Sequence, residues 1–382
     1  MVCPMKHERW LAAAALVATL GSVVPAQYKP EFNTTGPGAK AGAEGDPKGG
    51  EGESGPYDVD PNWPKPLPNH EGWTWGRTAG VWAESADRIF VFQSGELPWI
   101  HPDKRIGRDG IPTRAAAYAA KDNRKEHVLM IFDRQGNLID SWERHNAMFD
   151  GPHSVKMNPY DKEKHIWVID NGAQQIHKFT NDGTLVMTLG ERGKRGTDQT
   201  HFGGPADIAF LPNGDFFIAD GYQNSRVVKF NKDGKYLLEW GKWGPGPGEF
   251  NQLHSVAVDA KQRVYVADRV NSRIQVFDAN GKFLDQWPNI RFPLHIGISR
   301  DQHLWVADML TSKILKYDLN GKLLYSWGTF GGQPGQIWGV HGFSVDNEGN
   351  FYVAEVYNGR AQKFIPRKGV EAWKLIGPLG GA

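Results

Sequence analysis

The stretch from Asn251 to Trp287, NQLHSVAVDAKQRVYVADRVNSRIQVFDANGKFLDQW, is the unit from which most of this chain is built. It reads strand (SVAVD), turn, strand (VYVAD), loop (RVNS), strand (RIQVFD), an Asn280-Gly281 turn and a fourth strand. Valine and isoleucine alternate with polar residues at the period of a strand, and Asn-Gly between two such runs is a strong hairpin signal. One such four-stranded antiparallel blade cannot bury both of its faces, so recurrence is required. The same grammar returns from Pro152 (PHSVKMNPYDKEKHIWVIDNGAQQIHKF), Pro205 (PADIAFLPNGDFFIADGYQNSRVVKF), Leu294 (LHIGISRDQHLWVADMLTSKILKYDLNG) and Val340 (VHGFSVDNEGNFYVAEVYNGRAQKF). A more worn copy opens the array at Thr78, and its outer strands resume after an insertion as HVLMIFDRQGNLIDSW from His127. Four strands per unit at a period in the forties is propeller spacing, so the expected fold is all-β, a six-bladed β-propeller over residues 71–382.

The flanks read differently. Charges at Lys6 to Arg9, an apolar run from Trp10 to Val24 and the small-residue pattern Val24-Pro25-Ala26 describe a secretory signal peptide over residues 1–26, too short to span a bilayer. The expected location is therefore secreted or periplasmic, with no membrane attachment after cleavage. Cys3, the single cysteine, falls in that segment, so the mature chain needs no disulfide. Residues 27–70, with GPGAKAGAEGDPKGGEGESGP at their centre, lack the apolar content to offset backbone ordering and are expected to be a disordered Gly/Pro/Glu-rich linker. Lys+Arg 44 against Asp+Glu 43 leaves a net charge of +1, which argues against nucleic acid or an anionic membrane as a partner. A monomer is expected.

Trp142, Trp240, Trp287 and Trp327 recur just after the last strand of a blade, where a large ring packs between neighbours. Chemistry is expected instead at the starts of the innermost strands, which crowd round the central channel. Aligned on the residue after the Pro, Leu or Val, the copies begin at Ala79, His153, Ala206, His254, His295 and His341. Neutral imidazoles converging on an axis are good zinc ligands, and three of them with a water make an open, catalytic type of site. A ring of hydrogen-bonded core histidines carried along by duplication is the alternative.

The repeats resemble NHL repeats, and the run from Asp198 to Trp240 resembles the lyase half of peptidylglycine alpha-amidating monooxygenase. That lyase splits a C-terminal α-hydroxyglycine into a peptide amide and glyoxylate. The likeness extends from about Trp73 to Lys363. PHSV, LHSVAVD and VHGFSVD match the family's zinc-histidine motifs, which implies His153, His254 and His341 as ligands of Zn2+. DGYQNSR matches the motif of the catalytic tyrosine, here Tyr222, and VADRVNSRIQVF that of an active-site arginine, here Arg269. The types suit the chemistry: a cation beside a phenol favours its ionised, basic form, and a planar guanidinium fork fits a carboxylate. Taken without the resemblance, Tyr222 caps a loop and Arg269 closes an ion pair equally well.

Departures accompany the likeness. The family's aspartate after its third zinc histidine, which helps to bind a structural calcium, is Gly342 here, and the arginine of a first-blade motif is Ser94. Ca2+ in the channel thereby loses its carboxylate and keeps only the backbone carbonyl of Val155 at a matching position. His295 would supply a fourth zinc ligand and close the site. A cysteine pair of the animal enzymes falls on Gly203 and Gln223. The expected function is a zinc-dependent lyase acting on a small-molecule or peptide C-terminal substrate. The alternative is a non-catalytic NHL propeller that binds a ligand or protein on one face. A lactonase-like ring is disfavoured because such sites use axial Asp, Glu and Asn.

Overall fold

A computed structural model of the chain describes residues 54–70, 73–98 and 124–380. Within them, six four-stranded antiparallel sheets stand in a ring, each innermost strand packed against those of its neighbours. The innermost strands of blades 1 to 6 are Thr78–Ser85, Pro152–Met157, Pro205–Phe210, Leu253–Val258, Pro293–Ile298 and Val340–Val345. In blade 1 the second strand, Arg88–Gln93, pairs directly with Leu129–Phe132, so the insertion leaves the sheet intact. No helix among the described residues is long and apolar enough to cross a membrane.

The linker boundary at residue 70 is corrected by the structure. Tyr57–Asp60 is the outermost strand of blade 6, antiparallel to Arg360–Pro366 with Tyr57 opposite Pro366. The first strand of the ring in sequence thus completes its last blade. The physical reason lies in three apolar side chains that the Gly-rich average of the segment conceals. Tyr57 is fully buried against Trp327, Phe351 and Phe364, its hydroxyl accepts from the backbone N–H of Ile376, Val59 packs on the same cluster, and Trp63 is buried. The proposed signal segment and the linker up to residue 53 lie outside the described residues.

The core is six inter-blade layers. Each apolar cluster joins two adjacent blades, as when Phe217, Ala219 and Val227 of blade 3 meet Phe250, Val256 and Val266 of blade 4. The four repeating tryptophans sit at these joints, as expected. Trp240 of blade 3 lies under Gly281, the turn glycine of blade 4, where an added Cβ would come within 2.7 Å of the indole. With φ at 82°, Gly281 meets two demands that a side chain would fail. Gly183, Gly321 and Gly55 cover Trp142, Trp287 and Trp327 in the same way, and Gly136 of blade 1 covers Trp63. Trp63 is therefore the tryptophan of blade 6, delivered from the N-terminal side.

Because Tyr57 fills a joint rather than decorating an edge, Tyr57→Ala is expected to cost about 3–5 kcal/mol, the range for a large core aromatic. A chain starting at Trp73 should lose more, by exposing the edge of Arg360–Pro366. Denaturant unfolding of the three proteins checks both expectations.

Candidate metal centre

All six innermost strands open with the same irregularity. In blade 2, Pro152 pairs with Asp170 and Ser154 with Ile169, which leaves His153 out of the ladder. The corresponding bulged residues are Ala79, Ala206, His254, Leu294 and His341. A bulge re-aims the extra side chain. The bulged layer thus alternates round the ring, with histidine in blades 2, 4 and 6 and an aliphatic residue in blades 1, 3 and 5.

The three histidines are almost completely buried, with ring centroids 4.8, 4.4 and 4.7 Å apart. Each Nδ1–H donates to the carbonyl of the bulged residue in the next blade: His153 to Ala206 at 2.7 Å, His254 to Leu294 at 2.5 Å and His341 to Ala79 at 2.8 Å. A backbone carbonyl only accepts, so the proton is fixed on Nδ1 and each Nε2 keeps its lone pair. One ligand atom from each residue lies within 4.8 Å of the others. Burial holds all three rings far below their ordinary proton affinity, and Arg77 and Arg269 add to it at His153, Arg269 at His254. The Tyr222 hydroxyl lies 3.1 Å from Nε2 of His153 and 3.0 Å from Nε2 of His254. That hydroxyl carries one proton, so it cannot satisfy three convergent acceptors. A cation can, and the carbonyl partners are the outer-shell contacts that metal-ligating imidazoles use. The three buried histidines can therefore hold a metal ion.

His295 does not join them. In blade 5 the strand begins at Pro293, which pairs with Asp308, so the residue equivalent to His254 is Leu294. His295 belongs one layer deeper, with Gly80, Ser154, Asp207, Ser255 and Gly342. Pro293 and Leu253 both stand fifteen residues before the Asp that ends the second strand, a spacing that would have placed His295 correctly from sequence. The ring of His295 packs edge-on against Phe343 at 4.8 Å, and burial, then the Lys156 ammonium, push it down to about 3.

This deeper layer is organised by Asp207. Its carboxylate receives Lys156 at 2.7 Å, Ser154 Oγ at 3.2 Å, Ser255 Oγ at 2.5 Å and the N–H of Val256 at 3.2 Å. Burial works to raise its pKa, but the Lys156 ammonium and the neighbouring groups hold it low. The calcium implied by the resemblance does not fit these donors. Gly342 offers no carboxylate, and a Cβ there would sit 3.1 Å from the Ala79 carbonyl that His341 uses. Asp207 is already neutralised, so the carbonyl of Val155 would face a cation that Lys156 repels.

Above the histidines, the residue preceding each innermost strand rings the channel mouth: Arg77, Gly151, Gly204, Gln252, Phe292 and Gly339. Gly204 (φ 86°) and Gly339 (φ 68°) would each carry a Cβ within 2.4 Å of a tyrosine, Tyr222 and Tyr357 respectively, so glycine is what lets both phenols lie over the mouth. Arg269 is only 7% exposed; its Nη2 donates to Gln252 Oε1 at 2.6 Å, and its guanidinium lies 5.0 Å over the Tyr222 ring and 5.1 Å over Phe292. Its Nε–H is buried and finds no acceptor among the described residues. The structure thus brings His153, His254, His341, Tyr222 and Arg269 together and leaves His295 and Val155 below them. Arg77, Lys156, Asp207, Gln252 and Tyr357 were not singled out from sequence; the fixed spacing to the polar residue that ends the second strand would have flagged the mouth positions in every blade but the second.

Comparison with known proteins agrees with the fold. A family model described as a 6-bladed beta-propeller matches residues 195–294. NHL repeat-containing protein 3 of Homo sapiens is 36% identical over 170 residues, 42% of this chain and 48% of that protein. The chain is a six-bladed propeller whose repeats are similar to NHL repeats. A Caenorhabditis elegans protein named as a probable peptidyl-alpha-hydroxyglycine alpha-amidating lyase is 36% identical over 156 residues, 40% of this chain and 43% of that protein. The chain thus spans less than half the length of these two curated relatives. A streptogramin B lyase structure superimposes with a TM-score of 0.52 at 15% identity, covering 77% of this chain and 95% of that one, and shows the fold alone.

Elemental analysis of the purified propeller is expected to find one metal ion per chain. His341→Ala should lose it and His295→Asn should keep it. Lys156→Met should leave metal in place but strand a buried carboxylate at Asp207, at a cost of about 3–5 kcal/mol in denaturant unfolding.

Proposed function

We propose that the protein is a zinc-dependent lyase that converts an α-hydroxyglycine terminus, on a peptide or N-acyl substrate, into an amide and glyoxylate. The observation that carries this reading is the Tyr222 hydroxyl, set 3.1 and 3.0 Å from the lone-pair nitrogens of two of the three histidines, with the Arg269 guanidinium over its ring. Three neutral imidazoles suit zinc with one position open, and zinc held there would favour ionised oxygen at a phenol or bound hydroxyl. The likeness to the probable amidating lyase supports the same chemistry, and so does the resemblance of the histidine and tyrosine motifs of this sequence to those of the lyase family.

The residues divide the reaction between them. Tyr222 oxygen removes the proton from the hemiaminal hydroxyl. The O–H electrons form the carbonyl of glyoxylate, the C–N bond breaks, and the nitrogen leaves as the amide after taking a proton. Arg269 holds the substrate carboxylate through its unpartnered Nε–H, while Gln252 and Phe292 fix the guanidinium plane. The proposed leader places this reaction outside the cytosol.

A ligand-binding propeller without turnover is the second reading. It is favoured by Ser94 and Gly342 at positions the lyase motifs fill differently, and by the comparable likeness to NHL repeat-containing protein 3.

Zinc-loaded protein is expected to release glyoxylate from an N-acyl-α-hydroxyglycine, read by a colorimetric aldehyde assay. Tyr222→Phe should lower kcat by about 10²–10⁴ with zinc content unchanged. Arg269→Gln should act mainly on KM. Full zinc occupancy without glyoxylate release would reject the lyase in favour of the binding protein.

A further inference from the structure

The channel continues beyond the ion pair, and its far end is lopsided. Two residues past the layer of Asp207 and His295, strand alternation brings Trp82, Lys156, Ala209, Ala257, Gly297 and Ser344 to one level, each opposite an aromatic residue of its second strand. Large side chains stand on blades 1 and 2, and almost bare positions on blades 3, 4 and 5. A half-open cavity lies there, about 540 Å³ when counted out to the solvent, and Phe210, Phe343 and Leu379 complete its apolar wall. Leu379 is held in place by its bridge to Ser299 and by the next residue, whose N–H donates to the Ile298 carbonyl at 2.9 Å. Gly297 permits this approach, since a Cβ there would lie 3.2 Å from both Leu379 and Phe343.

Two polar side chains on this wall keep an unsatisfied atom. The Trp82 Nε1–H is buried and finds no acceptor among the described residues. The indoles of Trp142, Trp240 and Trp327 share that lack inside the joints between blades, but Trp82 lines the cavity. His295, 6% exposed, turns Nδ1 towards Ser255 Oγ at 3.5 Å and the Asp207 carboxylate at 3.9 Å. Ser255 gives its own proton to Asp207, so both neighbours are acceptors and the imidazole proton belongs on Nδ1. Nε2 keeps its lone pair and meets no donor among the described residues. The charged groups are closed instead. Lys156 Nζ lies 2.7 and 2.8 Å from the two oxygens of Asp207 and 3.1 Å from the Ile208 carbonyl, which occupies its three protons. The cavity thus offers one N–H donor, one acceptor nitrogen and no free charge. A hydroxyl, which both donates and accepts, is the simplest group that suits them.

We propose that the far end of the channel is a ligand site separate from the metal centre, which takes an uncharged phenol with its ring among Trp82, Phe210 and Phe343 and its hydroxyl matched to Trp82 Nε1–H and His295 Nε2. This does not rest on the lyase reading. An anion would find no free donor on Lys156, and a cation would meet its charge.

The test is calorimetric titration with p-cresol, toluene and benzoate. The native chain should bind one p-cresol, should bind toluene about fivefold to twentyfold more weakly for want of two neutral hydrogen bonds, and should not bind benzoate. Trp82→Phe keeps a ring and removes the N–H, so it should shrink the preference for p-cresol over toluene, whatever the smaller ring does to both. Ala209→Leu, which fills the cavity, should abolish binding of either, with metal content and the unfolding midpoint showing that the variant is folded. Protein stripped of metal by a chelator should bind p-cresol as before. Equal binding of p-cresol and toluene, an undiminished preference in Trp82→Phe, or loss of p-cresol together with the metal overturns the proposal.

Discussion

A propeller blade has two apolar faces, and only a closed circle buries both of them on every blade at once. Here closure depends on Tyr57–Asp60, which completes blade 6, and on Trp63, which fills the joint between blade 6 and blade 1. The same seam reaches the axis. His341 of blade 6 is oriented by the Ala79 carbonyl of blade 1, so one of the three ligand imidazoles is positioned across the junction that the N-terminal strand secures. The other two make the same bond inside the array, from blade 2 to blade 3 and from blade 4 to blade 5. Fold closure and the geometry of the metal centre are thus one problem solved by one set of contacts.

Beneath that centre the channel carries its own cation. Lys156 and Asp207 form an ion pair that two serine hydroxyls and a backbone N–H complete. A buried pair of this kind is weak evidence for net stability, since desolvation offsets most of the attraction. Its firmer consequence is electrostatic. An ammonium fixed in the deeper layer, beside a neutral His295, opposes a second metal cation there, and the glycines at 80 and 342 let the inner strands of blades 6, 1 and 2 approach too closely for a bulky ligand group. One metal layer, not two, follows from residues whose types all differ from a carboxylate-lined channel.

The architecture was legible in the sequence because its signals are local and repeated: alternation, Asn-Gly turns and a tryptophan at the outer strand of four of the blades. His153, His254 and His341 were legible for the same reason. His295 was misplaced because alignment followed the side chain before it, Leu294, whereas the ladder counts from Pro293; a slip of one residue moves a side chain to another layer. Tyr57–Asp60 was missed because a strand of four residues in a Gly- and Pro-rich segment is stabilised by partners some three hundred positions away, which no local pattern records. Lys156 was missed because it does not repeat; it does its work in a single blade.

That last point bears on how such a ring acquires chemistry. The bulged layer is regular, with three imidazoles on alternate blades, and by itself it distinguishes no direction in the plane. Tyr222 from blade 3 and Arg269 from blade 4 break that regularity, and each is placed at the mouth by a feature of its own blade: the bare Cα of Gly204 and the bond to Gln252. A ligand oriented by these two would meet the metal centre from one side only. The repeat supplies the ligands and their tautomer; the exceptions to the repeat supply the direction.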